Sequence, residues 1–217
     1  MTEKILEVNK VSFIVGKEVI LDDLTFSIER GERVTITGPS GGGKSTLLKI
    51  IASMLSPTQG RVSYDGVDIE EIDPIEYRKK VSYFFQNATL FGQTVRDNLS
   101  FPSDIRDEKF DEEKSVSMLE RVKLNRSYLD KAVKDLSGGE KQRIALVRNL
   151  MYKPDIILLD EVTSSLDAEN KDIIYTILDE LNEDDNMTIL SVTHDEREIT
   201  HADRIIQIIN GKVADNQ

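Results

Sequence analysis

Apolar and polar residues alternate along the first part of the chain, in the segments ILEVNKVSFIV and VILDDLTFSI. The stretch GERVTITG then continues as a strand-like run into a loop rich in glycine. Alternation with a period of two is typical of strands that have one buried face. We therefore predict that the N-terminal part forms antiparallel β-structure.

Four later apolar runs are short and continuous instead of alternating. They are VSYFF (81–85), DIILLD (155–160), TILSVT (188–193) and RIIQII (204–209). Strands buried on both faces show this pattern, as in a parallel sheet covered by helices. The sequence therefore predicts an α/β fold. Near the end of the chain, Asn-Gly in INGKV predicts a hairpin with a type I′ turn.

The segment between residues 87 and 134 is charged and helix-prone. Within it, Val116, Leu119 and Val122 recur at helical spacing. We interpret the segment as a helical insertion in the α/β lobe. The predicted organisation is a single domain over 1–217, with 1–86 and 151–217 forming mainly the β-containing lobe and about 87–150 forming the insertion.

Composition narrows the class of protein. The 217 residues, 39% of them apolar, suffice for one full core. No apolar run approaches the roughly 20 residues of a membrane helix, so we expect a protein of the cytosol. The absence of cysteine excludes disulfides and thiol nucleophiles. The formal charge of -12, without a run of Lys and Arg, predicts no nucleic-acid partner.

The glycine-rich loop matches a phosphate-binding motif in its required context. GPSGGGKST fits G-x-x-x-x-G-K-[ST] between a predicted strand and the predicted helix KSTLLKIIASML. Its glycines let backbone amides surround phosphate oxygens, and the helix N-terminus adds favourable partial charge. Lys44 is expected to reach the β- and γ-phosphates, and Ser45 to ligate Mg²⁺. The predicted nucleotide-binding residues are Gly38, Pro39, Ser40, Gly41, Gly42, Gly43, Lys44, Ser45 and Thr46.

Two adjacent acids end the apolar run DIILLDE. Asp160 stands where an NTP site needs a carboxylate for Mg²⁺. Glu161 then lies just past the strand, where a carboxylate can orient a water for attack on the γ-phosphate. Solvation at the surface is the alternative explanation for most acids of this chain, but it explains an acidic pair at the end of an apolar strand poorly.

A second Ser-Gly-Gly segment, in LSGGE (136–140), precedes the predicted helix EKQRIALVRNL. Ile144, Val147 and Met151 predict that this helix belongs to the core. A triphosphate wrapped by the first loop leaves only the outer face of its γ-phosphate open. A second helix N-terminus covers that face best when it comes from another molecule, which predicts a head-to-tail dimer completed by Ser137 and Gly139.

The ordered motifs resemble the ATP-binding cassette (ABC) ATPase family over nearly the whole chain. LSGGE is similar to the signature motif of that family, and Gln86, SSLD (164–167) and His194 are similar to its Q-loop glutamine, its D-loop and its switch histidine. The resemblance implies a P-loop NTPase of RecA-like fold with an N-terminal antiparallel β portion. It also implies an ATPase that uses ATP and Mg²⁺ as an ATP-dependent homodimer.

The same resemblance assigns roles to residues of this sequence. The implied catalytic residues are Glu161, His194 and Gln86. The implied further contacts with nucleotide are Ser137, Gly138, Gly139, Glu140 and Asp167. The implied metal site consists of Ser45, Gln86 and Asp160. The other histidine, His201, is expected to be a surface or helix residue without a role in the site.

A narrower resemblance is to the FetA group of separate cassette subunits, based on ITGPSGGGKSTLLKIIASMLSPTQG, TLFGQTVRDNLSFP and LSGGEKQRIALVRNL. That group is associated with a membrane permease and with iron export or metal homeostasis. The resemblance implies a cytoplasmic subunit, peripheral on the inner face of the cell membrane, with separate integral-membrane permease subunits as partners.

Three alternatives differ from this interpretation. A soluble ABC ATPase of a cytosolic assembly complex, as in iron-sulfur cluster biogenesis, has no membrane partner. DNA-repair or chromosome ATPases need long coiled coils or zinc insertions between the motifs, and a plain kinase or GTPase does not explain LSGGE and SSLD.

Two positions depart from the pattern of the family. Val15 stands where the family usually has an aromatic that stacks on adenine, and Phe13 on the same strand face is the alternative contact. The glycine-bearing acidic stretch of exporters is absent from SYLDKAVKDLSGGE, so the sequence does not predict the direction of transport.

Overall fold

Two β-sheets form the framework of the computed structural model, which describes residues 3–183 and 186–214. The first sheet is antiparallel and has the order β2-β1-β4-β5. Its strands are β1 (Lys4–Val15), β2 (Glu18–Glu29), β4 (Gln59–Tyr64) and β5 (Val67–Asp68). The predicted antiparallel portion is confirmed, although the alternating pattern indicated only its first two strands.

The second sheet has the order β10-β9-β3-β8-β7-β6 and is parallel except for β10. Its strands are β3 (Arg33–Thr37), β6 (Val81–Phe84), β7 (Ile156–Asp160), β8 (Thr188–Val192), β9 (Arg204–Ile209) and β10 (Lys212–Val213). Every residue of β7 and β8 is buried, as expected for central strands covered on both faces. The predicted α/β class is confirmed.

The prediction that all four runs are buried on both faces was wrong for RIIQII and for VSYFF. In the case of VSYFF, β6 is an edge strand and Phe85 just after it is 45% exposed. In β9, Ile206 and Ile208 are buried, whereas Ile205 and Ile209 are each 40% exposed. β9 is the second strand from the edge of the sheet. Buried and exposed residues alternate along it, which shows that only one of its faces is covered. The hairpin after β9 is confirmed, because Asn210 and Gly211 both have the positive φ angles, 50° and 75°, of a type I′ turn.

Seven helices complete the fold of the described residues, together with 3₁₀ segments at Arg126–Asp130 and Val133–Asp135. The helices are α1 (Lys44–Ile51), α2 (Pro74–Lys80), α3 (Val95–Asp104), α4 (Glu112–Arg121), α5 (Gly138–Leu150), α6 (Ala168–Glu183) and α7 (Glu196–Thr200). The first is shorter than predicted, because Ser53 adopts a left-handed φ of 53° that ends it. Within the described ranges, no helix is both long and apolar enough to cross a membrane.

Two apolar clusters form the core. One packs the antiparallel sheet and α1 against the parallel sheet, with Ile5, Leu47 and Ile36 among its members. The other joins the helices α3 to α6 to β7 and β8. The residues predicted for helix cores are all buried in it: Val116, Leu119, Val122, Ile144, Val147 and Met151. Since α5 shares this cluster with β7, the boundary of the helical insertion near residue 150 stays a prediction.

Candidate active site

The phosphate-binding loop lies at the end of β3, in the centre of the parallel sheet, and leads directly into α1. Gly38 has a φ of 137°, and a Cβ atom there would lie 2.0 Å from the backbone oxygen of Ile208. Gly43 has a φ of 91°, and a Cβ there would lie 2.7 Å from the backbone oxygen of Ile20. Glycine is therefore required at both positions, for conformation and for close approach of backbone.

Lys44 is folded into this loop. Its side chain is buried, and its Nζ donates hydrogen bonds of 2.9 Å to the backbone oxygens of Gly38 and Pro39. The ammonium group is thus held on the inner side of the loop. The predicted phosphates would face the backbone amides of this loop. A buried ammonium that bonds only carbonyl oxygens has charge available for an anion.

The loop borders a surface depression lined by Ile20, Ser40, Gly41, Gly42, Gly43, Lys44, Ser45, Thr46 and Glu161. Of the residues considered for adenine, Val15 is 56% exposed, whereas Phe13 is half-buried and packs against the core. The apolar side chain next to the phosphate loop is therefore the aliphatic Ile20, which the sequence analysis did not identify.

Asp160, at the end of β7, lies beside the start of α1. Its Oδ1 accepts a hydrogen bond of 2.8 Å from the Ser45 hydroxyl, and the residue is 8% exposed. These are hard oxygen donors, the kind that Mg²⁺ takes from proteins while it keeps several waters. The pair therefore fits a magnesium ion shared with phosphate oxygens. Gln86, the third predicted metal residue, bonds Glu161 instead of Asp160.

The three predicted catalytic side chains come together past the ends of β6, β7 and β8. Gln86 donates from Nε2 to the Oε2 of Glu161 over 3.2 Å, and the Nε2 of His194 lies 3.9 Å from the Oε1 of Glu161. His194 is 58% exposed, so its ring is open to a ligand. The structure thus groups these residues, while their roles in catalysis stay predictions.

Glu161 also has an unusual backbone. Its φ is 50°, in the left-handed region that non-glycine residues seldom adopt. The conformation is fixed because its amide donates to the backbone oxygen of Val192 over 2.9 Å, and its own backbone oxygen accepts from the Ser164 hydroxyl over 2.8 Å. Strained backbone concentrates at functional sites, and nothing in the local sequence indicated it.

The signature segment forms the N-terminus of α5 through a capping box. Ser137 Oγ accepts from the amide of Glu140 over 3.2 Å, and Glu140 Oε2 accepts from the amide of Ser137 over 2.7 Å. Desolvation alone would raise the pKa of the Glu140 carboxyl. Hydrogen bonds from the Tyr128 hydroxyl, the Ser137 amide and the Lys131 ammonium outweigh it and lower that pKa to about 2.

This segment does not line the depression at the phosphate loop of its own chain. Ser137 and Gly138 are exposed, and within the described part of the chain no atom beyond the sequence neighbours and the backbone of α5 itself lies within 4 Å of the position that a side chain at Gly138 would take. Gly139 instead faces Asn170, whose amide nitrogen donates to both carboxylate oxygens of Asp167 over 2.9 Å. Asp167 is therefore engaged at the start of α6, and the signature presents an open helix N-terminus.

Gln142 is a residue of the site region that the sequence analysis missed. It is buried on α5, where its Oε1 accepts from the amide of Ala88 over 3.1 Å and its Nε2 donates to the backbone oxygen of Val162 over 2.8 Å. It therefore ties the signature helix to the loops that bear Gln86 and Glu161. A glutamine inside an otherwise apolar helix face was the available signal.

Glu198 on α7 forms a second buried polar contact near the site. It is 3% exposed, and its Oε1 accepts from the hydroxyls of Thr163 over 2.8 Å and Tyr175 over 3.1 Å. Burial raises the pKa of Glu198, and the two hydroxyls oppose that shift. Asp195 adds to the increase, and Arg33 lowers the pKa. The carboxyl links the helix after His194 to the segment after Glu161.

We expect Glu198→Gln to remove a pH dependence of stability. The raised pKa means that the folded protein holds the Glu198 proton more tightly than the unfolded chain. The Glu198 carboxyl therefore does not change the stability of the wild type with pH below its ordinary pKa of 4.5. Above that value, the stability of the wild type falls as the pH rises towards the raised pKa of the folded protein. The measurement is urea unfolding of both proteins at pH 5 and pH 8. The free energy of unfolding of Glu198→Gln, relative to that of the wild type, should be higher at pH 8 than at pH 5.

Glu196→Gln, on the exposed face of the same helix, is the matched control for that comparison. Glu198→Ala should cost about 1–3 kcal/mol, because the two hydroxyls lose their acceptor. An equal difference between the wild type and Glu198→Gln at both pH values would contradict the account.

The sequence profile of the family described as ABC transporter matches residues 21–164. The chain is 47% identical to the probable iron export ATP-binding protein FetA of Escherichia coli (strain K12), covering 94% of this chain and 91% of that protein. It is 37% identical to the lipoprotein-releasing system ATP-binding protein LolD 1 of Chlorobium chlorochromatii (strain CaD3), covering 91% and 83%.

A solved structure shares the fold over nearly the whole chain. It is the dimeric ATP-binding cassette MJ0796 in a post-hydrolysis state bound to ADP and Pi, with a TM-score of 0.87 and 31% identity. The alignment covers 98% of this chain and 97% of that one.

Proposed function

Because this chain belongs to the ABC transporter family of ATP-binding cassettes, whose members are ATPases coupled to transport, we propose that two copies pair head-to-tail and drive a separate membrane permease. The observation that supports the pairing is that the phosphate loop and the signature segment of one chain do not line the same depression. The phosphate loop and Glu161 line one depression, and the exposed Ser137 and Gly138 do not contribute to it. The dimeric structure of the relative MJ0796 agrees with this proposal.

In the proposed site, the residues of one chain bind and orient the nucleotide. The loop amides and the Lys44 ammonium neutralise phosphate charge. Mg²⁺, when bound at Ser45 and Asp160, supplies further neutralisation of the β- and γ-phosphates. Glu161 accepts a hydrogen bond from the attacking water and orients it. Gln86 donates a hydrogen bond to the same carboxylate, and His194 lies next to it.

The second chain closes the site. The N-terminus of α5 places an open end of a helix dipole and the Ser137 hydroxyl against the γ-phosphate. Glu140 keeps that terminus in shape through the capping box, so we propose that its role is to position Ser137 rather than to touch nucleotide. Closing excludes water from the charged groups, and hydrolysis with loss of phosphate reopens the pair.

A groove beside the edge strand β6 is the surface that we propose for binding the permease. It consists of two adjoining depressions that share Arg78 and Ser82, and we call it the β6 groove. Phe85, Phe101 and Ile105 in its walls are 45%, 42% and 44% exposed. Aromatic side chains with a basic rim are typical of a protein interface, and this one adjoins the segment that leads to Gln86.

Phe101→Ser is expected to weaken binding of the permease about 30-fold, the effect of losing one aromatic anchor. Val67→Ser is the matched control, because Val67 is similarly exposed (45%) but lies in β5 of the other sheet. The partner is first identified by co-purification of the wild type from detergent-solubilised membranes, and its affinity for each variant is then measured. Equal affinities for both variants would contradict the assignment of the groove.

We propose iron export as the transport process, on the basis of the FetA relative. Accordingly, we place the subunit in the cytoplasm, peripheral on the inner face of the membrane. Efflux of Fe²⁺ from proteoliposomes that contain the co-purified complex tests the substrate. Recovery of a soluble partner instead of a membrane protein would favour the cytosolic assembly ATPase.

A further inference from the structure

The carboxylate of Asp160 is held at both of its oxygens. Oδ1 accepts from the Ser45 hydroxyl over 2.8 Å, and Oδ2 accepts from the Tyr83 hydroxyl over 2.6 Å. Because Ser45 donates its hydrogen to Oδ1, the lone pairs of its own oxygen stay available to a cation. The two hydroxyls together fix the plane of the carboxylate, since each anchors a different oxygen.

The sheet register brings Tyr83 to this position. Tyr83 on β6 pairs with Leu158 on β7, and Asp160 follows two residues later on the same face of its strand. A side chain as long as tyrosine reaches such a diagonal neighbour. Neither the phosphate motif nor the acidic pair at the end of β7 indicates this contact.

Tyr83 also lines the β6 groove. Tyr83 and Phe85 line the same depression, with their ring centroids 4.7 Å apart at an angle of 64°. Edge contacts of this kind fix the relative orientation of two rings. A single residue therefore touches both the proposed docking groove and the carboxylate that stands beside the phosphate loop.

We propose that Tyr83 is a positioning residue that orients Asp160 for Mg²⁺ and transmits contacts made at Phe85 in the β6 groove to that carboxylate. The inference rests on the proposed role of Asp160 at the metal. Outer partners that orient a metal ligand change metal affinity about 10- to 100-fold when they are removed. A partner that shifts Phe85 would move the Tyr83 ring and with it the hydroxyl that holds Oδ2.

The test uses the isolated cassette and a fluorescent ATP analogue, whose binding is followed as free Mg²⁺ is varied. Tyr83→Phe keeps the ring and removes only the hydroxyl, so it should raise the half-saturating Mg²⁺ concentration about tenfold. Binding of the analogue in the presence of a chelator should stay unchanged. That second measurement reports folding of the phosphate loop independently of the metal.

Tyr64→Phe is the matched control, because the Tyr64 hydroxyl also donates to a carboxylate, that of Asp155 next to the opposite end of β7. It should leave the Mg²⁺ requirement unchanged. Asp160→Asn separates the two proposals: if it leaves the requirement unchanged, the metal role of Asp160 fails. If Asp160→Asn raises the requirement and Tyr83→Phe does not, or if Tyr64→Phe has the same effect as Tyr83→Phe, the positioning role of Tyr83 is overturned.

A double-mutant cycle tests the link to the groove. Phe85→Ala should raise the Mg²⁺ requirement about threefold in the wild-type background and have no effect in the Tyr83→Phe background, because its influence passes through the hydroxyl. Equal effects in both backgrounds, or none in the wild type, would overturn the transmission from Phe85.

Discussion

Glu161→Gln is expected to bind ATP, to hydrolyse it at least about 100-fold more slowly than the wild type and to accumulate as an ATP-bound dimer. The substitution removes the charge that acts on the attacking water but keeps the shape of the side chain. Its amide oxygen can still accept the hydrogen bond that Gln86 donates to the carboxylate over 3.2 Å. Ground-state binding is therefore retained while the chemical step is lost.

Size-exclusion chromatography with MgATP and a phosphate-release assay measure these two properties. Lys44→Ala is the contrasting variant, since Lys44 compensates phosphate charge in the ground state and its loss should prevent tight ATP binding and dimer formation alike. A Glu161→Gln protein that stays monomeric with ATP, or that hydrolyses ATP at the wild-type rate, would refute the assignment of Glu161.

Local motifs predicted the parts of the site that depend on short stretches of sequence. The phosphate loop, the acidic pair at the end of β7 and the Ser-Gly-Gly segment at the start of α5 each consist of neighbouring residues whose spacing determines the geometry. Central strands were likewise predicted, because burial on both faces requires continuous apolar residues, as in β7 and β8.

The features that were missed depend on contacts between distant segments. The bond from Tyr83 to Asp160 requires the register of β6 against β7, and the contacts of Gln142 require α5 to pack beside two loops. The one-sided burial of β9 follows from its place near the sheet edge, which the run RIIQII does not indicate. Only β10 follows it at that edge.

β4 and β5 were not predicted, for a different reason. β4 begins QGRV, and Gly60 has a φ of 79°, so the apolar alternation that marks a strand is interrupted at its start. β5 has only two residues. β4 forms because it pairs with the free edge of the long strand β1, and β5 in turn pairs with β4, so these pairings determine their conformation.

The central claim is that the signature segment of one chain completes the site of its partner. A mixture of Glu161→Gln and Ser137→Arg proteins separates this arrangement from its alternative, since each variant alone is expected to be nearly inactive. In a head-to-tail mixed dimer, one site combines both lesions and the other is intact. If the signature served its own chain, every site would hold a lesion.

Control mixtures make the comparison specific. Lys44→Ala with Ser137→Arg should also regain activity, because the two lesions again fall into one site and ATP at the intact site can still join the two chains, unlike in a dimer of Lys44→Ala with itself. Lys44→Ala with Glu161→Gln should not, because both residues border the same depression and each site keeps one lesion.

Single-turnover hydrolysis in mixtures of Glu161→Gln and Ser137→Arg is the decisive measurement, with formation of mixed dimers verified in the same samples. The amplitude should be half of the wild-type value multiplied by the measured fraction of mixed dimers, because each mixed dimer has one intact site of two; random pairing at equal proportions would give about a quarter. An amplitude that stays at the level of the separate variants at every mixing ratio would contradict the account.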